Sequence, residues 1–444
     1  MVGASCARFF CSGARGDLAM DLPTNPHPTS VLVGANPAGA LRRVSLALRH
    51  TMAHHREATW VSACSGGADS LAMTVCAADL ASRWQVPFRA VIVDHGLREG
   101  SEVEAISVRE MLRTLGIEAK VVTVDVDLRR GGIEAAAREA RYAALIDEAL
   151  TALPSISEPS RSAHLTSHPS MGEPTSEMTE PTVAILLGHT MDDQAEGVLV
   201  ALSRGSGTRS IAGMRELRRE HVECRGEVRW VRPLLHVRRS DTKQACRQLD
   251  LAAVEDPTNS LDGSWLTHAG HPLPRVAIRH RVLPALAAAL GCDPVPALAR
   301  TARLACDDAD ALDSLASALT GTITAHLGDE ESRSELTSVP MGELWGRLTV
   351  DEVAQHPVAV RTRILRAWLT EVYALKNQAN PMGEPSGGEG GVAASALTFA
   401  HLNALDSLVV DPRGGRRVSL PRGVEVERRG RVLIARHRAT NGGA

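Results

Sequence analysis

The residues with the most chemistry in them are six in a row, Ser65-Gly-Gly-Ala-Asp-Ser70. They follow an apolar run from Ala58 to Cys64 and precede a helix-compatible stretch from Leu71 to Trp84. Strand, glycine turn and helix in that order gather unsatisfied backbone N–H groups at a helix N-terminus, where the dipole also favours an anion. Gly66 and Gly67 let the chain turn and approach phosphate with no Cβ in the way. Asp69 beside a phosphate is repulsive unless a divalent ion lies between them, which implies Mg²⁺ near Asp69 and fixes no other metal. The plainer alternative is a βα turn capped by serine. The loop is neither Gly-x-x-x-x-Gly-Lys-Ser/Thr nor Gly-x-Gly-x-x-Gly.

Gly188-His-Thr-Met-Asp-Asp-Gln-Ala-Glu196 is the second constellation. On a helix, His189, Asp193 and Glu196 stand at i, i+4 and i+7 and share a face. A histidine with two acids suits a cation, either a metal ion or an ammonium group. An acidic first turn that complements the helix dipole uses the same residues, so position in the fold must separate the two readings.

That position comes from the elements around the motifs. Apolar β-type runs at 58–64, 88–94, 119–125 and 183–187 alternate with helical patterns at 69–84, 101–115, 133–150 and 191–204. The alternation predicts an α/β fold, a doubly wound parallel sheet. Ligands of such sheets sit beyond the carboxyl ends of the strands. Ser65, Asp94-His95 and Gly188-His189 all fall there, so one shared site is expected.

This domain is expected over 46–240, with a Ser/Pro/Glu/Thr-rich insertion at 153–182 expected to be disordered. Residues 1–45 read as a disordered N-terminal extension, part of which could lie upstream of a start at Met20. A mainly helical domain rich in Ala and Leu is expected over 241–377, then a flexible linker at 378–394. A basic α+β segment closes the chain over 395–444, with β-type runs at 417–420, 424–427 and 432–435.

The 444 residues suffice for two or three domains with a buried core. Aromatics make up only 3%, so base recognition cannot rest on many stacking platforms. No segment approaches the roughly 20 unbroken apolar residues of a membrane helix. The eight cysteines include no Cys-x-x-Cys pair. That argues against structural zinc, an iron–sulfur cluster and a redox dithiol, and fits a reduced, cytoplasmic protein. A net charge of −3 does not advertise nucleic-acid binding, yet arginines cluster over 204–239 and again from Arg413 to Arg438. Such runs are solvated faces or phosphate footprints.

Taken in order, the motifs narrow the reading. Ser65–Ser70 resembles the PP-loop of ATP pyrophosphatases, which adenylate a carbonyl oxygen and let a nitrogen or sulfur nucleophile displace AMP. It is followed by Val93-Asp-His-Gly-Leu-Arg98, Glu134-Ala-Ala-Ala-Arg-x-x-Arg-Tyr142, the 188–196 segment and Arg204-Gly-Ser-Gly207. Arg232-Pro-Leu-Leu235, Glu255-Asp-Pro-Thr-Asn259 and Ile278-Arg-His280 complete the series. Over about 57–290 the chain thus resembles the tRNA(Ile)-lysidine synthetase family.

The resemblance implies a PP-loop ATPase sheet and a ligase that adenylates the 2-carbonyl of the wobble cytidine in CAU-anticodon isoleucine tRNA. Free L-lysine then displaces AMP through its ε-amine. It implies ATP held by Ser65, Gly66, Gly67, Ala68, Asp69 and Ser70, with Mg²⁺. It further implies lysine binding and catalysis by Asp193 and Glu196 with His189 in their network, a site arginine at Arg141, and substrate or tRNA contacts at Arg204 and Arg279. It leaves a homodimer open. This chain departs from the family stretch Arg-Asn-Arg-Ile-Arg-His, having Arg275-Val-Ala-Ile-Arg-His280. The segment before it, Leu261 to Pro274, is also longer and carries Trp265.

Three rivals stay open. A PP-loop tRNA thiolase would need a cysteine pair or cluster ligands. An amidotransferase-type synthetase would need an ammonia source. A tRNA-binding protein with a decayed site would draw its support from the altered 275–280 stretch alone.

Overall fold

The structure, a computed structural model, describes residues 28–126, 133–151, 181–205, 207–222, 225–263, 265–267, 270–325, 344–379, 397–411 and 417–437. The chain divides into two compact units. One takes the described residues up to Val200 together with Met214–Ala299, and the other takes Ala201–Gly213 together with the residues from Arg300 onward.

The first unit is built on a six-stranded sheet in the order β3-β2-β1-β4-β6-β5. Its strands are β1 (Thr59–Ala63), β2 (Phe88–Asp94), β3 (Ala119–Thr123), β4 (Thr182–Leu187), β5 (Leu217–Val222) and β6 (Gly226–Val231). All neighbours pair in parallel except β5, which runs antiparallel to β6 at the edge. The central strands are mostly apolar because both faces are covered, β4 from Val183 to Leu187 without a break. Trp60, Ile92 and Leu186 pack on one face, and Val61, Val91, Ile185 and Trp230 on the other. The chain leaves β1 towards β2 and β3, then returns to β4 on the opposite side of β1. That reversal opens the crevice where such sheets bind ligands.

The helices are α1 (Pro28–Val33), α2 (Gly39–Met52), α3 (Ala68–Trp84), α4 (Ser101–Thr114), α5 (Ile133–Thr151), α6 (Met191–Ser203) and α7 (Arg239–Gln248). Two expected boundaries move. The N-terminal extension cannot be disordered as far as 45, because Val33, Leu41, Val44, Leu48 and Met52 enter the main core. The 41, 44, 48, 52 spacing is a helical apolar stripe that a composition-based reading passes over. Nor does the domain close at 240, since Ala245, Cys246 and Leu249 of α7 and its end belong to that same core. The expected insertion at 153–182 lies outside the described residues up to 180, and Thr182 already opens β4.

In the second unit, β7 (Leu344–Thr349), β8 (Arg417–Leu420), β9 (Val424–Arg429) and β10 (Val432–His437) form an antiparallel sheet ordered β7-β10-β9-β8. Trp368, Leu369 and Tyr373, from the helix Val358–Ala379, pack in a core with Leu405 and Leu433. β7 arises inside the stretch expected to be helical, and it pairs with β10. From Arg300 onward the helical region and the α+β end are therefore one unit, whereas residues 241–299 of the expected helical domain belong to the first. The expected linker at 378–394 lies outside the described residues from 380 on. Among the described residues, no single helix is long and apolar enough to cross a membrane.

Candidate active site

A cleft of about 540 Å³ lies at the carboxyl ends of β1, β2 and β4. Its wall includes the 65–70 loop, Asp94-His95, Arg141, Gly188-His189, Asp193, Trp265 and Arg279. The two sequence constellations meet there, in the crevice between β1 and β4.

Two glycines make the meeting possible. Gly66 adopts φ +82°, and a Cβ on it would lie 2.6 Å from Val108 Cγ2. Gly188 lets the end of β4 touch the first turn of α3, since a Cβ there would lie 2.9 Å from Ser70 Cα and 3.0 Å from its backbone N. The serines brace the loop. Ser65 N donates to Ser70 Oγ at 3.1 Å, and Ser70 Oγ donates to the Gly67 carbonyl at 3.0 Å. No side chain caps α3, so its first-turn N–H groups keep the anion-attracting character of a helix N-terminus.

Beside the loop lies an acid–arginine cluster. Arg239, the first residue of α7, donates to Asp193 Oδ1 at 2.5 Å, to Glu196 Oε1 at 2.8 Å and to Asp69 Oδ2 at 3.4 Å. Arg279 donates to Glu196 Oε1 at 2.7 Å and to Oε2 at 3.1 Å. Asp193 Oδ2 accepts from the backbone N and the hydroxyl of Thr190, both at 2.7 Å. Asp192 holds the start of α7, accepting from Arg239 N at 2.8 Å and from Arg238 Nε at 3.1 Å. Thr242 donates to Asp69.

These surroundings push the acids apart. Burial raises the Asp69 carboxyl above its usual range, and Thr242 and Arg239 offset this only in part. Burial acts the same way on Asp193, but Arg239 and the Thr190 bonds outweigh it and hold that group below the usual range. His189 is pushed down to about 3, chiefly by burial, so its ring is neutral near pH 7. Burial also lowers His95 and Arg141. His95 Nδ1, His189 Nδ1 and Arg141 Nε are buried without a hydrogen-bond partner, and all three residues line the cleft. A buried polar atom left unpaired costs about 1–3 kcal/mol, and three on one wall mark a place prepared for a polar ligand.

The structure brings Ser65–Ser70, Arg141, His189, Asp193 and Arg279 to one cleft. It alters one expectation and locates two further residues. His189 precedes α6, so it does not share a helical face with Asp193 and Glu196. Glu196 is fully buried beneath the two arginines rather than open on the wall. Arg204 is exposed and belongs to the second unit. Sequence reasoning missed Arg239, Thr242 and Asp192 as site residues. Arg239 ends the 204–239 arginine run, and much of that run is spent on acids. Arg218 pairs with Glu220, Arg219 with Glu227, Arg225 with Asp147, and Arg229 with Glu57 and Glu227. Cys64 and Cys246 are buried with thiols pushed up by burial, the state of inert cysteines. Among the described residues, no group of three or more His, Cys, Asp or Glu side chains is arranged to hold a metal ion by itself.

The PP-loop domain family matches residues 41–153 and 176–286. The tRNA(Ile)-lysidine synthase of Rhodococcus erythropolis is 39% identical over 381 residues, 84% of this chain and 89% of that protein. That of Salinispora arenicola is 37% identical over 90% of this chain and 97% of its own length. Among solved structures, a tRNA thiolase of Methanococcus maripaludis, NcsA, shares 16% identity at a TM-score of 0.41, covering 64% of this chain and 83% of its own. That likeness is too distant to bear on activity. On the family match and the curated relatives, the chain belongs to the tRNA(Ile)-lysidine synthases, ATP-dependent ligases of the PP-loop group that modify tRNA.

Proposed function

We propose that the cleft converts the wobble cytidine of CAU-anticodon isoleucine tRNA to lysidine. The observation that carries this reading is the joining of a phosphate-binding loop to an acidic cluster in one crevice lined by unpaired polar atoms. In the first step the cytidine 2-oxygen attacks the α-phosphorus of ATP, and pyrophosphate leaves. In the second the ε-nitrogen of free lysine attacks C2, the C2–O bond breaks with AMP departing, and the nitrogen sheds its proton.

The Ser65–Ser70 loop would hold the polyphosphate on its backbone N–H groups, which are aimed before the reaction begins. Arg141, half-buried with Nε unpaired, would meet the charge that grows on the departing phosphates. Mg²⁺ fits beside Asp69, a carboxyl raised by burial that ionises most readily when a cation joins it. There it would screen phosphate charge. Asp193, which stays ionised on the cleft wall, suits the lysine ammonium. Glu196 acts as a positioning residue for Arg239 and Arg279. Neutral His189 offers a ring nitrogen to hydrogen bonding rather than to proton transfer near pH 7. In the second unit, exposed Arg204 and Arg422 suit tRNA phosphates.

Radiolabelled lysine with ATP and CAU-anticodon isoleucine tRNA tests the reading. Label should enter the RNA with the wild-type chain and not with Asp69→Ala or Asp193→Ala. Pyrophosphate release without label would replace lysine with another nucleophile.

A further inference from the structure

Asp193 and Glu196 present a difficulty for any amine substrate, because their oxygens are already taken. Glu196 Oε1 accepts from both arginines and Oε2 from Arg279. Asp193 Oδ2 is engaged by Thr190 and Oδ1 by Arg239. Two guanidinium groups thus sit among three carboxylates, Asp69, Asp193 and Glu196. An ammonium ion arriving at Asp193 must displace a resident cation.

The two arginines differ in what else they can reach. Arg279 is pinned on both oxygens of Glu196 and approaches Asp193 Oδ1 only to 3.7 Å, beyond hydrogen-bond distance. Arg239 spreads over three acids, and its Nε lies 3.4 Å from Asp69 in the first turn of the phosphate-binding helix. Its backbone is fixed independently, with its N–H on Asp192 at 2.8 Å, so the guanidinium can swing while α7 stays in place. A guanidinium binds phosphate through paired, charge-assisted bonds. A nucleotide polyphosphate on the Ser65–Ser70 loop would therefore compete for it directly.

Resting on the lysine reading above, we propose that Arg239 is a placeholder cation that orders substrate binding. Without nucleotide it occupies Asp193 and closes the amine subsite. With nucleotide bound it moves onto the phosphates, and the vacated Asp193 accepts the ammonium group of lysine. Two of the three acids' charges are neutralised before the move and one after it, so the subsite becomes attractive to a cation only when a nucleotide is there to react.

The test is equilibrium dialysis of radiolabelled lysine against the full chain, with and without α,β-methylene-ATP and Mg²⁺. This nucleotide cannot release pyrophosphate. The analogue should tighten lysine binding by about tenfold or more, and lysine should tighten analogue binding by the same factor. Arg239→Met should bind lysine without nucleotide about as tightly as the wild-type chain does with it. Arg239→Lys should keep part of the nucleotide dependence. Equal lysine affinity with and without the analogue in the wild-type chain would overturn the placeholder role and leave the lysine reading intact. An Arg239→Met chain that still needs nucleotide would do the same. Absence of lysine binding under every condition would overturn both. If Arg239→Met does not fold, the two wild-type affinities and their reciprocity still decide.

Discussion

Two clusters in this molecule are made of the same side chains and come to opposite ends. In the first unit, Arg239 and Arg279 lie among Asp69, Asp193 and Glu196, inside a cleft. In the second, Glu425 and Glu427 of β9 gather Arg417 of β8, Arg429 of β9 and Arg436 of β10. The sheet cluster carries one arginine too many, and Arg417 leaves 51% of its side chain in water, where surplus charge is cheap. The cleft cluster carries one carboxylate too many, and Glu196 is fully buried. Ion pairing therefore says little about function. The sign of the unpaired charge, and whether it faces a cavity, says much more.

The widest separation between the clusters should come from removing one charge in each. Asp193→Asn should lower lysine incorporation by about 10²–10³-fold, the usual effect of losing one group that meets transition-state charge. Glu427→Gln should leave kcat/KM for ATP, lysine and tRNA unchanged and show instead as lost stability, about 1–3 kcal/mol, because Glu427 is itself buried and Arg436 beside it nearly so. Comparable losses of activity from both variants would erase the distinction.

A pair of methyl groups sharpens it at lower amplitude. A Cβ at Gly188 would press on the backbone of Ser70, whereas one at Gly346 would lie 2.6 Å from Val372 Cγ2 and 3.0 Å from Trp368 Nε1 in the core of the second unit. Overpacking of this kind costs about 1–3 kcal/mol. Gly188→Ala should express that cost as a raised KM for ATP, measured by pyrophosphate exchange. Gly346→Ala should express it as a lowered Tm with KM unmoved.

The sheet, its first four strands and the shared crevice were legible because apolar runs, helical periods and glycine turns are local signals, and Ser65–Ser70 and Gly188–Glu196 stood at strand ends. The acids of the cleft were legible by type. What they touch was not, since Arg239 and Arg279 reach Asp193 and Glu196 from 46 and 83 residues away along the chain. The β5–β6 hairpin was obscured because its strands are rich in charge, Arg219 standing opposite Arg229 and reaching Glu227 on the diagonal. β7 was obscured because its partner, β10, lies far along the chain and its own six residues sit within a helical stretch.

Titration of His189 probes the cleft alone. A free histidine takes up its proton near pH 6.5, but buried His189 does so only at about 3. Between those values the unfolded chain binds the extra proton and the folded chain does not, so stability rises with pH across that window and levels off above it. His55 and His95, also lowered chiefly by burial, act with the same sign. Comparing wild type with His189→Gln by urea unfolding from pH 7 down to 4 isolates one contribution. The variant should lose less stability on acidification, and parallel curves would mean that His189 protonates freely in the fold.

The smallest effect belongs to the positive surplus of the second unit. Deleting residues 395–444 would strip β8, β9 and β10 from β7 and open the core that holds Trp368, so lost RNA binding would then report unfolding. Neutralising Arg422, exposed at the turn between β8 and β9 with φ +56°, leaves the sheet paired. Each phosphate contact contributes about 0.9 to the slope of log affinity against log salt on duplex nucleic acid. Arg422→Gln should reduce the slope for isoleucine tRNA by nearly one, which is roughly threefold to fourfold in affinity across a fourfold change in salt. An unchanged slope would assign Arg422 to solvent, and the acid-rich cleft would then be compared with a sheet whose arginines serve the fold alone.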